Sequence, residues 1–262
     1  MKSTKSIAVV IPARLDGVRL PNKVLLNFHG LPMIEHVRRR AELNSFKVEV
    51  YVVTGDDEVA NCIKSFGGKV LRSNRQHTNG TSRCAEAAEQ LEYESLIIAQ
   101  GDEILLLPRH IDSLIENIVR NPELKCFNAI APIKNLEELH DISVVKCLID
   151  KQNNINFMFR VPPISNTGEI NILTFNKVLG LFAFRRETLI EIAGLETTPF
   201  ESIESIEQMR MIENCYQIHS IKLDRGFPSV NVPADIEVVN NALLNDVEQS
   251  KVLKSVIDAI RS

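Results

Sequence analysis

An α/β fold built on a mostly parallel sheet is what this 262-residue sequence predicts. Three observations predict it. Short β-branched runs recur, each closed by a polar turn; helical patterns lie between them; and after residue 125 strand-like runs follow one another without helices between.

Ile7 to Ile11 is uniformly apolar and ends at Pro12, the pattern of a strand buried on both faces. Val48–Val53 ends at Thr54-Gly55-Asp56, Lys69–Leu71 follows a Gly-Gly turn, and Leu96–Ala99 ends at Gln100-Gly101-Asp102. Helical spacing covers Met33 to Leu43, Glu58 to Phe66, and the alanine-rich stretch Thr81 to Leu91. Ligands of such sheets collect at the carboxyl ends of the strands, where Ala13-Arg14, Thr54-Gly55-Asp56 and Gln100-Gly101-Asp102 project. Phe127–Ile133, Val144–Ile149, Ile155–Phe159 and Leu179–Phe184 suggest antiparallel strands that cover this site. Thr198-Pro-Phe-Glu201 opens a helix expected to run from Pro199 to Asn214, and Val247 to Ile260 forms a terminal amphipathic helix. We expect a single domain over 1–262, with a half built on the strand–helix alternation (1–125), a sub-domain that covers the site (126–230) and C-terminal helices (231–262).

Composition narrows the function classes. The formal net charge is −4 and the cations are scattered, so nucleic acid is not an expected partner. Cys62, Cys84, Cys126, Cys147 and Cys215 are odd in number and far apart, as reduced cytosolic thiols are. No run of apolar residues is long enough for a membrane span or a signal h-region, so a cytoplasmic protein is expected. His29, His36, His110, His140 and His219 have no partner at telling spacing and read as surface or helix-edge residues.

Three constellations carry chemistry. Pro12-Ala13-Arg14-Leu-Asp-Gly17-Val-Arg19-Leu-Pro21-Asn-Lys23 puts three cations and a glycine on one loop, suited to a triphosphate and its pyrophosphate leaving group. Spacing alone fits a solvated basic loop equally well. His77-Thr-Asn79-Gly80-Thr81-Ser-Arg83 is turn chemistry running into a helix N-terminus, which holds an anion or base edge or simply caps the helix. Asp102, in Gln100-Gly101-Asp102-Glu103, ends a buried strand where it can hold Mg²⁺ or cap the next helix.

In this order and at these separations the three resemble the 3-deoxy-manno-octulosonate cytidylyltransferase (CMP-Kdo synthetase) family, whose wording is PARxxSxRxPxK, HxSGTxR and QGDEP. The resemblance continues through Ser143–Asp150, Phe157–Pro163, Leu179–Arg185 and Pro199–Arg210. It implies a nucleotide-diphospho-sugar transferase-like, Rossmann-like fold, and attack of a sugar hydroxyl on the α-phosphorus of CTP with release of pyrophosphate. By resemblance Arg14, Arg19 and Lys23 hold the phosphates, and Ala13, Asn79, Gly80, Thr81, Arg83 and Gln100 lie against the nucleotide. Asp102 binds Mg²⁺, while Gln100, Arg160, Glu204 and Gln208 contact the sugar acid, Arg160 through its carboxylate. Four-residue spacing sets Glu204 and Gln208 on one helical face; without the resemblance that face reads as solvated. A homodimer is the family's common state.

The sequence departs from the family at four places. The second metal carboxylate, in the family's GVDTPEDL, is Asn231 here, which puts metal dependence in question unless Asp224 or Asp235 compensates. The family's histidine before Leu-Gly is Val178, its following tyrosine is Phe182, and the serine of SGT is Asn79. Loss of polar groups on the sugar side points to a modified or different ulosonic acid. A nonulosonic acid, phosphonate or sugar-phosphate acceptor keeps the same chemistry. A non-catalytic nucleotide-binding protein is the reading from another class, and Asn231 is the feature in its favour.

Overall fold

The computed structural model describes residues 6–17, 20–77, 79–163 and 171–261. In chain order the strands are β1 (Ile7–Pro12), β2 (Asn27–Phe28), β3 (Leu31–Pro32), β4 (Glu49–Thr54), β5 (Lys69–Arg72), β6 (Ser95–Ala99), β7 (Cys126–Pro132), β8 (Lys146–Ile149), β9 (Ile155–Phe159), β10 (Asn176–Arg185) and β11 (Ile218–Lys222). The helices are α1 (Met33–Glu42), α2 (Asp57–Ser65), α3 (Gly80–Glu89), α4 (Pro108–Arg120), α5 (Leu136–His140), α6 (Arg186–Ala193), α7 (Pro199–Glu204), α8 (Gln208–Glu213), α9 (Ala234–Asn245) and α10 (Val247–Arg261).

Apart from the β2–β3 pair, the strands form one mixed sheet in the order β11-β7-β10-β6-β1-β4-β5, with β8 on β10 and β9 on β8. β6, β1, β4 and β5 run parallel, whereas β10 lies antiparallel between β6 and β7. From β1 the chain builds β4 and β5 on one side and then crosses to β6 on the other. Strand order therefore reverses at β1, and a crevice opens beyond the carboxyl ends of β1 and β6.

Every residue of β1 is buried, because helices cover both faces of the sheet. Ile7, Val9 and Ile11 pack with residues of α1, α2, α4 and α9 on one face; Ala8 and Val10 pack with residues of α3, α6 and α8 on the other. The alanines of α3 let that helix sit close to the sheet, with Ala87 and Ala88 at 0% exposure.

Two expectations are corrected. The helix expected over Pro199–Asn214 is two short helices, α7 and α8, separated at Ser205, which adopts a left-handed conformation with φ 53°. The cause is tertiary. Arg160 donates from Nε to the Glu204 carbonyl at 2.8 Å and from Nη2 to the Ser205 carbonyl at 3.2 Å, closing the end of α7 with a cation. Second, His36 and His110 are not surface residues, being 0% and 3% exposed. Burial pushes both imidazoles down to about 4. His36 Nε2 lies 2.6 Å from the Phe28 carbonyl, tying α1 to the β2–β3 pair.

The approach of β6 to β1 at the crevice requires a glycine. A Cβ on Gly101 would stand 2.7 Å from the Pro12 carbonyl oxygen and 3.3 Å from Ile34 Cδ1. Gly101→Ala is therefore expected to destabilise the protein by about 1–3 kcal/mol through overpacking. Urea unfolding checks it: a lowered midpoint at unchanged slope is the expected result, and an unchanged midpoint contradicts so close an approach.

Candidate active site

The crevice is an open cavity of about 550 Å³. One side is the loop after β1. Ala13 donates its N–H to the Val53 carbonyl at 2.9 Å, and Leu15 donates to the Asp56 carboxylate at 3.0 Å, so the ends of β1 and β4 fix where the loop starts. Ala13, Arg14, Gly17 and Lys23 line the cavity from this loop. Arg14 is well exposed, its Nε 3.4 Å from Asp16. Arg19 lies outside the described residues.

The floor is the end of β6. Asp102 accepts from Lys23 Nζ at 2.6 Å, and the same ammonium donates to the Val230 carbonyl at 3.1 Å. This joins the first loop, the end of β6 and the segment before α9. Asn231 also lines the cavity, its amide donating to Ser229 Oγ at 3.0 Å. Asp235 and Asp224 are not among the residues that line the cavity. Asp235 accepts from the N–H groups of Asn231 and Val232 at 2.7 and 2.9 Å, and Asp224 pairs with Arg109 at 2.6 Å. Among the described residues no group of three His, Cys, Asp or Glu side chains is placed to hold a metal.

Behind Asp102, burial and the neighbouring Asp102 charge push the Glu103 carboxyl up to about 7. Glu103 accepts from the Gly180 N–H at 3.1 Å, and Gln100 donates its N–H to the Gly180 carbonyl at 2.9 Å. β10 is bulged here: its pairing with β7 shifts register between Val178 and Phe182. Asn128 Nδ2 holds the bulge from below, donating to the carbonyls of Leu179 and Leu181 at 3.1 and 3.4 Å.

The second side is the start of α3. Asn79 is the N-cap, its side chain accepting from the Ser82 N–H at 2.8 Å. Asn79, Gly80, Arg83 and Gln100 all line the cavity. Thr81 does not. It faces an adjoining recess and donates to Glu207 at 2.6 Å.

The far wall comes from the strands and helices after residue 125: Val145, Arg160, Val178, Phe182 and Ile206, with Glu207 and Gln208. The donors of Arg160 are committed to main-chain carbonyls, those of Glu204 and Ser205 and also Ile142 at 3.0 Å. Fully buried Lys146 donates to the Asp141, Val144 and Arg160 carbonyls, and burial lowers its ammonium. Glu204 is not brought to the cavity with Gln208. Its carboxylate accepts from the Arg160 N–H at 2.9 Å, because the break at Ser205 puts the two residues on different helices. Glu207 stands in its place, with burial raising its carboxyl. Sequence reasoning missed Glu207 although it sits in the same Glu204-Ser-Ile-Glu207-Gln208 run, and it missed the Val230 carbonyl, which carries no side-chain signal.

The described lining residues include four cations, Arg14, Lys23, Arg83 and Arg160, and two carboxylates, Asp102 and Glu207. The excess of cations beside a helix N-terminus suits a polyanionic ligand.

An open α/β sheet with a cationic crevice at its switch point is the architecture of many nucleotide-binding proteins. The family model described as cytidylyltransferase matches residues 8–218. The 3-deoxy-manno-octulosonate cytidylyltransferase of Chlorobium limicola is 33% identical over 238 residues, covering 90% of this chain and 96% of that one. The enzyme of the same name from Acidithiobacillus ferrooxidans is 38% identical over 227 residues, covering 81% and 89%. The solved CMP:2-keto-3-deoxy-manno-octonic acid synthetase complexed with CTP matches with a TM-score of 0.85 at 30% identity, over 92% of this chain and 99% of that one. An inositol-1-phosphate CTP transferase from T. maritima shares the fold, with a TM-score of 0.63 at 14% identity over 94% and 99%. The chain belongs to the cytidylyltransferase family.

The loop leading to α3 is held by Glu86. Its carboxylate accepts from Ser73 Oγ at 2.7 Å and the Asn74 N–H at 2.9 Å, and it pairs with His77 Nε2 at 2.6 Å. Burial alone would raise Glu86; the hydrogen bonds from His77, Asn74 and Ser73 outweigh it and hold the group at about 2. A depressed carboxyl contributes stability that is present above its ordinary value of 4.5 and lost as pH falls toward about 2. Unfolding followed across that window should show wild type losing more stability than Glu86→Gln; equal losses would contradict the clamp.

Proposed function

We propose that the chain couples the CMP half of CTP to the anomeric hydroxyl of an acidic keto-sugar, 3-deoxy-manno-octulosonate or a related ulosonic acid, and releases pyrophosphate. The observation that carries this is the joining of the Arg14–Lys23 loop, Asp102 and the start of α3 around one cavity whose far wall is a separate set of side chains. A nucleotide and an acceptor thus have distinct walls. The relatives' names supply the identity of both.

The sugar hydroxyl attacks the α-phosphorus while pyrophosphate leaves in line, so catalysis is positioning and charge stabilisation. Lys23, with Arg14, takes up charge on the leaving oxygens. Asn79, Gly80 and Arg83 lie against the nucleoside, and Gln100, Glu207 and Gln208 orient the acceptor. Arg160 and Lys146 brace the acceptor wall. The family typically uses a divalent metal. Mg²⁺ commonly takes one or two carboxylates together with substrate phosphates, and the residues present fit that minimum. Asp102 and Asn231 would hold it, and it would neutralise phosphate oxygens at the reacting centre. With one carboxylate where two are usual, Mg²⁺ binding should depend strongly on bound nucleotide.

A homodimer accompanies this reading. Ile142, Val161 and Ile203 are 65%, 67% and 73% exposed and flank the positions that Arg160 ties together, an apolar area suited to a second copy.

Pyrophosphate release from CTP and Mg²⁺ with a panel of ulosonic and nonulosonic acids tests the proposal. One acid should turn over, and Asp102→Ala should lower the rate by about a hundredfold or more. Release unaffected by Asp102→Ala would remove Asp102 from the site. Silence with every acid, despite CTP binding, would favour another acceptor or a non-catalytic protein.

A further inference from the structure

We propose that the acceptor wall selects a sugar acid whose edge facing β10 carries no free hydroxyl, and that Val178 and Phe182 are the residues that select it. The inference rests on the transfer reading above and names the acceptor class within it. The wall along β10 and its neighbours is hydrocarbon: Val145, Val178, Phe182 and Ile206 line the cavity together. Phe182 and Ile206 are 5% and 3% exposed, so their outer surfaces are packed into the core and cannot turn away to admit a polar group.

A bulge disrupts the main-chain ladder, but in this one five main-chain groups between Val178 and Leu181 already have partners and are not free for a ligand. The Val178 N–H donates to the Val145 carbonyl at 2.8 Å, the Gly180 N–H donates to Glu103, and the Gly180 carbonyl accepts from the Gln100 N–H. The Leu179 and Leu181 carbonyls accept from Asn128. Glu103 and Gln100 pack directly against Gly180, where a Cβ would stand 2.5 Å from Glu103 Oε1 and 3.1 Å from Gln100 Cγ. The polar groups of the acceptor end, Gln100, Glu207 and Gln208, come from the end of β6 and the start of α8. Hydroxyls facing those residues keep partners; a hydroxyl facing Val178 and Phe182 loses its water and meets only hydrocarbon side chains. A methylene, a methyl or an alkylated oxygen loses nothing there.

Apolar pockets reject an added hydroxyl by at most about a hundredfold, which sets the scale. The test is the ratio of kcat/KM, from pyrophosphate release with CTP and Mg²⁺, for 3-deoxy-octulosonic acid and a series of its analogues each lacking or O-methylated at one hydroxyl. Wild type should prefer one modified acid over the parent by about tenfold or more. The near-isosteric double variant Val178→Thr, Phe182→Tyr should bind CTP as wild type does and lose most of that preference by gaining on the parent acid. The parent as the best acid for wild type, or a preference that survives in the double variant, overturns the proposal. Turnover with no acid at all overturns instead the transfer reading on which it stands.

Discussion

The Lys23–Asp102 ion pair is the contact on which the arrangement of this site depends. At 2.6 Å, with the Val230 carbonyl as the ammonium's second acceptor, it gathers three stretches of chain that are remote in sequence. Both side chains keep only about a fifth of their surface, so the cost of desolvation offsets much of the attraction and the pair adds little to stability. Its effect is positional. It sets the Lys23 ammonium over the cavity floor, beside the Asp102 carboxylate.

Close packing keeps that relation rigid. β6 can deliver Asp102 beside Lys23 because Gly101 lies against the Pro12 carbonyl, and β10 can lean over Gln100 because Gly180 admits Glu103 beneath it. On the opposite side Lys146 and Arg160 act as buried or half-buried cations whose partners are carbonyls, and they close the ends of irregular chain around α7. On the side of the β1 loop, Arg14 and Lys23 stand on the cavity wall. On the far wall the cations are committed to main-chain carbonyls, and the surface along β10 is apolar.

This division decides how much of the molecule was legible in the sequence. Ile7–Ile11 and Leu96–Ala99 announce themselves because a strand buried on both faces must be uniformly apolar, and α3 because its alanines pack against the sheet. Arg14, Lys23, Asn79, Gly80, Arg83, Gln100 and Asp102 sit at strand ends or a helix start, so a pattern of elements already places them near one crevice. Ser205 gives no local sign of a break, since the cation that ends α7 comes from Arg160, some 45 residues earlier. For the same reason periodicity selects Glu204 and passes over Glu207. β11, whose middle residues are His219 and Ser220, lacks a strong strand pattern and is set by pairing with β7. His36 and His110 are buried by tertiary packing that histidine's intermediate polarity does not advertise.

Calorimetry with CTP, CMP and cytidine on wild type and Lys23→Met tests most directly whether the cations beside Asp102 hold the polyphosphate of a nucleotide. The variant is expected to lose about tenfold or more in affinity for CTP, less for CMP and almost nothing for cytidine. Equal losses for all three ligands, or an undiminished affinity for CTP, would contradict it.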